Sequence, residues 1–330
     1  MEVTPNPMNL TTDYLGLRLR NPFIVGASPF CDDVHLALQL QDAGAAALVM
    51  RSLFEEQITP PPPPVLLPGN RPQADFPEFA DYQFAPDQYL RQLTHLKRTL
   101  TIPVIASLNG HRPGDWIDFA RAIEGAGADA LELNFYQVIT DADVAADQVE
   151  TEMLEVVGRL AASLKIPIAV KLSPFHASIA QLAVALELAG AAGIVVFNRF
   201  YQPDINTDDL EVNATLRLSD PSELLLRLRW LAILSPQLRG SLAASGGIHT
   251  SAGVAKAILA GAHAVQLVSL LLRHGPHMIS VLVRDLQVWM KEHGYDEIEK
   301  FRGRLNLQRC PDTAAYERAN YIRVLQSWRV

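Results

Sequence analysis

The chain is 330 residues long, 49% apolar and 19% charged, with a formal net charge of −8. That length and apolar share suffice for a large core, as one barrel or as two domains. The acidic balance, with no Lys/Arg cluster, excludes nucleic acid as a partner, because a polyphosphate demands a basic face.

The cysteines, Cys31 and Cys310, are far apart, and no CxxC or Cys/His ligand spacing occurs. Neither a disulfide framework nor a structural zinc is expected, and no metal is implied, so a reducing cytoplasm is the expected setting. Met1–Thr12 has no basic, then apolar, leader pattern, and no run approaches membrane-spanning length, so a soluble protein without membrane contact is expected.

In chain order, Leu15–Arg20 alternates around a turn-capable glycine and predicts a small hairpin closing one end of the fold. Short β-rich runs then follow at Phe23–Ala27, Ala46–Met50, Val104–Ser107, Ala130–Asn134, Ile168–Lys171, Gly193–Phe197, Ser241–Ala244 and Ala264–Leu267. Amphipathic segments lie between them near Val34–Ala43, Pro86–Leu100, Trp116–Ala126, Asp147–Leu164, Ser178–Ala189, Ser222–Leu234 and Ser251–Ala260, with a last one at Pro276–His293. Eight strands with helical crossovers predict an α/β fold, a TIM (β/α)8 barrel occupying the whole chain as one domain, with an N-terminal hairpin within 1–20 and a C-terminal tail over 295–330. Two connections, Arg51 to Ala85 with the proline run Pro60–Pro64 and Asn198 to Pro221, are long enough to shape a site over the C-terminal face.

The most informative stretch is Ala244-Ser245-Gly246-Gly247-Ile248-His249-Thr250 with the helical segment after it. Paired glycines at a strand end expose backbone N–H groups, and the following helix adds the positive end of its dipole, which suits a phosphate without a lysine. Lys171 ends an apolar strand at the catalytic rim, where burial costs several kcal/mol unless the ammonium meets an anion or sheds its proton. Two roles are open to it: a fixed cation beside developing negative charge, or a Schiff-base amine. Asn109, Asn134 and Asn198 sit at equivalent strand ends, and together with Lys171 offer a ring of donors and acceptors suited to a planar heterocycle.

These residues resemble the dihydroorotate dehydrogenase family of FMN-dependent barrels, particularly its soluble branch. Asn21-Pro22-Phe23-Ile24-Val25-Gly26-Ala27-Ser28 is similar to the family's opening strand, and Ile168-Ala169-Val170-Lys171-Leu172-Ser173-Pro174 to the strand bearing its flavin-contacting lysine. Ser245–Thr250 and Ala260–Ser269 resemble the two halves of its phosphate site. The resemblance implies that Gly247 and the backbone of Val268 and Ser269 hold the FMN phosphate, and that Ser28, Asn109 and Lys171 contact the flavin ring. It further implies that Asn134 and Asn198 bind a pyrimidine-like substrate, and that Ala27, Arg51, Ser52, Ser245 and Gly246 complete the cofactor site. The implied activity is hydride transfer from a dihydropyrimidine to flavin in pyrimidine biosynthesis, in a cytoplasmic homodimer.

Two departures stand out. The family places a cysteine or serine base three positions after the fourth-strand asparagine, and here that position is Gln137, which has no usable protonation change. Arg51-Ser52 replaces the usual lysine and serine. Tyr136 is a candidate acid or base, with stacking the simpler role; His111 and His176 are further candidates, and Cys31 reads as a core residue at a helix start. Two other classes stay open: a Schiff-base lyase or isomerase acting on a phosphorylated substrate through Lys171, and a barrel that binds FMN without catalysis.

Overall fold

The computed structural model describes residues 8–59, 84–111, 114, 116–200, 202–213, 216–309, 312 and 315–328; the proline run Pro60–Pro64 and Cys310 lie outside them. Strands β1 (Thr12–Tyr14) and β2 (Leu17–Leu19) pair antiparallel around Leu15-Gly16, where φ is +55° and +75°. The hairpin is therefore centred earlier than the alternation predicts, because Leu15 and Gly16 form the turn that matches the strand twist.

Next come β3 (Phe23–Val25), α1 (Val34–Asp42), β4 (Ala47–Val49), β5 (Leu53–Phe54), α2 (Glu55–Ile58), α3 (Pro86–Thr99) and β6 (Val104–Asn109). They are followed by α4 (Trp116–Gly125), β7 (Ala130–Asn134), α5 (Ala146–Ser163), β8 (Ile168–Leu172), α6 (Ile179–Leu188) and β9 (Gly193–Val196). A surface hairpin, β10 (Asp204–Asn206) with β11 (Glu211–Asn213), precedes α7 (Leu224–Leu234), β12 (Ser241–Ser245), α8 (Ser251–Ala260) and β13 (Ala264–Leu267). The last helices are α9 (Ser269–His274), α10 (Met278–Glu292) and α11 (Asn320–Ser327).

Strands β3, β4, β6, β7, β8, β9, β12 and β13 pair parallel in that order, and β13 returns to β3, closing the barrel. Helices form where apolar side chains recur on one face and the ends are capped. In α3 the buried set Tyr89, Leu93, Leu96 follows that spacing, and the Thr250 side chain accepts the Gly253 N–H to start α8. Among the described residues no helix is long and apolar enough to cross a membrane.

Every barrel strand is buried on both faces, so the period of two shows as a change of residue size rather than of polarity. Outward positions such as Leu131, Leu133, Val170 and Leu172 pack with the helices in the larger core cluster. Inward positions Ile24, Ala47, Ile105, Ala130, Ala169, Val195, Ala243 and Ala264 are small or β-branched and pack with Tyr14, Leu15 and Leu19 of the hairpin. The hairpin is tied down as well: the Leu15 N–H donates to Ser241 Oγ (2.9 Å) and Thr12 Oγ1 to the His263 carbonyl (3.0 Å). It plugs the barrel's N-terminal end and leaves the C-terminal rim for a site.

Candidate active site

Continuing the inward register toward the rim replaces the apolar layer with a polar one: Ser107, Glu132, Asn134, Lys171, Ser245 and Gln266 are all buried. Lys171 is 6% exposed, and its Nζ donates to Glu132 Oε1 at 3.2 Å and to Gln266 Oε1 at 2.8 Å. Gln266 Nε2 in turn donates to Glu132 Oε2. Three strands thus hold one ammonium by a carboxylate and an amide. Below this triad the Tyr14 hydroxyl has no hydrogen-bond partner among the described residues, and burial, then the charge of Glu132, raises its pKa well above the ordinary phenol value.

Asn134 is held from two sides. Its Nδ2 donates to Ser52 Oγ (2.8 Å) and Ser107 Oγ (2.9 Å), hydroxyls that lie 2.8 Å from each other. Ser107 is fixed through its backbone, whose N–H donates to the Tyr89 hydroxyl (2.8 Å) while that hydroxyl donates to the Ser107 carbonyl (3.1 Å). Asn134 Oδ1, by contrast, is buried and has no partner among the described residues. A buried carbonyl oxygen left bare costs about 1–3 kcal/mol, so the arrangement anticipates a donor from a ligand.

These side chains open into a cavity of about 540 Å³ at the C-terminal mouth, within the range of small-molecule sites. It is lined by Ala27, Ser28, Arg51, Ser52, Asn109, Asn134, Tyr136, Lys171, Asn198, Ser245, Gly246, Val268 and Ser269, each singled out from sequence. Gly247 stands just behind the lining. Its φ is +77°, a Cβ there would fall 2.4 Å from the Leu224 backbone nitrogen, and its N–H donates to Ser219 Oγ at 3.2 Å. Gly246 has φ +92°, so both positions require glycine. Ser219 Oγ lies 2.6 Å from Ser269 Oγ, and His249 Nε2 lies 3.1 Å from the Ser219 carbonyl and 3.2 Å from Ser269 Oγ.

The sequence reading missed Arg199, Ser219 and Arg227, all of which line the cavity. Arg227 had a legible signal. It lies three residues after Leu224 and four and seven before Leu231 and Leu234, all buried on α7, so it occupies the inward stripe of that helix.

Around the mouth, Tyr136 stacks on Phe200 (centroids 4.5 Å, planes 19° apart), and Phe175 meets Phe200 edge-on at 5.2 Å. Gln137, His111 and His176 do not line the cavity. The Glu55 carboxylate takes His111 Nδ1 and the His111 N–H, each at 2.9 Å. Burial lowers the pKa of His176. Cys31 is fully buried, its thiol pushed up to about 12 chiefly by burial, and its Sγ accepts the Arg51 N–H at 3.1 Å. Arg51 is committed to Asp32, with Nη2 2.5 Å from Oδ2 and Nε 3.3 Å from Oδ1. Among the described lining residues there is no Asp, Glu, His or Cys, and apart from lysine and arginines Tyr136 is the titratable group there.

A closed (β/α)8 barrel with a polar cavity at the C-terminal ends of its strands is the architecture of a barrel enzyme. Residues 9–290 match the family model for dihydroorotate dehydrogenase, and the chain belongs to that family. It is 27% identical over 217 residues to a putative dihydroorotate dehydrogenase A (fumarate) of Aeropyrum pernix, covering 64% of this chain and 71% of the relative. It is 23% identical over 305 residues to the dihydroorotate dehydrogenase B (NAD(+)) catalytic subunit of Thermoplasma acidophilum, covering 89% and 98%. It is also 24% identical over 324 residues to the NAD-dependent dihydropyrimidine dehydrogenase subunit PreA of Escherichia coli, covering 90% and 77%. The protein is thus an oxidoreductase of the dihydroorotate and dihydropyrimidine dehydrogenase kind.

Proposed function

We propose that this chain is an FMN-dependent dehydrogenase that oxidises a CH–CH bond of a dihydropyrimidine-like ring. The observation that carries this reading is the cavity floor, where a clamped ammonium, Lys171, stands beside the partnerless carbonyl of Asn134. Flavin mononucleotide fits the residues present on two further counts: a glycine strand end that a Cβ would crowd, and a cavity of about 540 Å³ open to solvent at one end. When bound there, FMN supplies a two-electron acceptor for hydride. The chain's own residues do the rest. Ser245, Gly246, Val268 and Ser269, with the Gly247 backbone, would hold the phosphate, and Ala27, Ser28, Arg51, Ser52 and Asn109 would contact the ring. Lys171, itself buried, would offset negative charge that grows on reduction, where a fixed cation counts for more than in water. Asn134 and Asn198 orient the substrate, the Tyr136 ring stacked on Phe200 walls one side of the mouth, and Tyr136 is the candidate for exchanging the substrate proton.

Two observations weigh the other classes. Lys171 Nζ already donates to Glu132 and Gln266, which favours a held ammonium over the free amine a Schiff base needs. That no carboxylate, histidine or thiol, nor Gln137, stands among the described lining residues favours a second reading, a flavin-binding barrel without dehydrogenase chemistry. Mixing the FMN-loaded protein anaerobically with a panel of dihydropyrimidines, dihydroorotate included, separates these. Bleaching of the flavin band by at least one member is expected. Persistent colour with every member would leave the non-catalytic reading, and protein that stays colourless after incubation with FMN would end the flavin reading.

A further inference from the structure

Sequence inspection places a phosphate on backbone amides alone, yet the structure brings a buried guanidinium to the same spot. Arg227 is 6% exposed and lines the cavity with Ser245, Gly246 and Ser269. Its Nη2 lies 3.0 Å from where a Gly246 Cβ would stand, so the guanidinium rests against the glycine strand end. Two of its three nitrogens are anchored: Nε donates to the Ser245 carbonyl (2.9 Å) and Nη1 to the Glu223 carbonyl (2.9 Å), with Glu223 Oε2 a further 3.5 Å from Nη1. Nη2 makes no hydrogen bond among the described residues. Glu223 does not neutralise Arg227 by itself, because its Oε1 is 2.5 Å from Arg199 Nη1. Among the described residues, one carboxylate shared between two guanidiniums leaves a positive charge uncompensated beside the cavity. The exposed Asp220 carboxylate instead accepts the Ser222 N–H and hydroxyl.

We propose that Arg227 is the charged ligand of a phosphate monoester seated at Gly246, with the Ser219 and Ser269 hydroxyls beside it. In that position it sets the site's preference for a phosphorylated flavin over an unphosphorylated one. The flavin part rests on the function proposed above; the phosphate part does not. The Nη2 amino group keeps charge-assisted N–H donors for phosphate oxygens, and anchoring the other two nitrogens in advance removes most of its ordering cost.

The test titrates apo-protein with FMN, riboflavin and inorganic phosphate, following flavin fluorescence and heat of binding, for wild type, Arg227→Gln and Arg227→Lys. Glutamine keeps an amide donor for the Ser245 carbonyl and a stem along α7, and a melting curve verifies its fold. The expected result is an FMN affinity lowered about thirtyfold in Arg227→Gln, as for loss of a charged hydrogen bond, with riboflavin affinity within about threefold and Arg227→Lys between the two. If FMN and riboflavin weaken together, or FMN binding is unchanged, Arg227 serves packing only and the proposal fails. If wild type binds neither flavin but binds phosphate in an Arg227-dependent way, the flavin reading falls and the anion site stands; if it binds none of the three, both fall.

Discussion

Replacing Glu132 by glutamine should destabilise the protein by leaving the Lys171 ammonium without its carboxylate. Glu132 and Lys171 are 1% and 8% exposed at their side chains, 3.2 Å apart, and the shape of the triad is preserved by the amide. Removing one partner of such a buried pair costs about 3–5 kcal/mol, much of it the penalty of the charge left behind. For a chain of 330 residues, an unfolding entropy of about 2.1 cal/mol/K per residue sums to roughly 0.7 kcal/mol/K, so the melting temperature should fall by about 4–7 °C. The companion variant Lys171→Met removes the other charge, and the double variant should recover part of the loss, with a coupling of about 2 kcal/mol in the double-mutant cycle. Calorimetry and urea unfolding of the four proteins measure it. A Glu132→Gln variant that melts with wild type, or a double variant whose loss equals the sum of the singles, would refute the claim that this carboxylate holds the lysine.

Two further outcomes follow from buried titratable groups. Cys31, with its thiol pushed up to about 12, holds about one part in ten thousand as thiolate at pH 8; peptide mapping after iodoacetamide treatment should find it unlabelled in native protein and labelled in urea, and prompt native labelling would contradict its burial. His263 is lowered from 6.5 to about 4, first by burial and then by Arg302, so the unfolded chain binds a proton that the folded one refuses. Its contribution is intact above pH 6.5 and is lost as pH falls toward 4, about 3 kcal/mol in all. Urea midpoints across that window should fall less steeply for His263→Asn than for wild type, and equal slopes would overturn the assignment.

Much of this architecture was legible because a closed parallel barrel imposes a strict repeat. Each run from Phe23 to Leu267 had to be short, apolar and followed by a helix, and the expected and observed strands agree to within one or two residues. Lys171 and the asparagines were visible as polar groups ending apolar runs. Glu132 and Gln266 were not singled out as partners of Lys171, because Glu132 meets it through the β7–β8 register, with Asn134 opposite Lys171, and Gln266 reaches it across the barrel interior from β13, neither of which local pattern encodes. Arg227 went unnoticed because an arginine among leucines reads as a solvent-facing residue until the stripe it shares is drawn. The β10–β11 hairpin, α9 and α11 also escaped the reading, being short elements in connections or tails with weak periodicity.

The plug formed by Tyr14, Leu15 and Leu19 has a kinetic corollary. With the far end of the cylinder stoppered by this hairpin, a molecule bound at the Lys171 floor would come and go through the opposite mouth. Whatever settled deepest would then arrive first and leave last, with later guests taken and released above it.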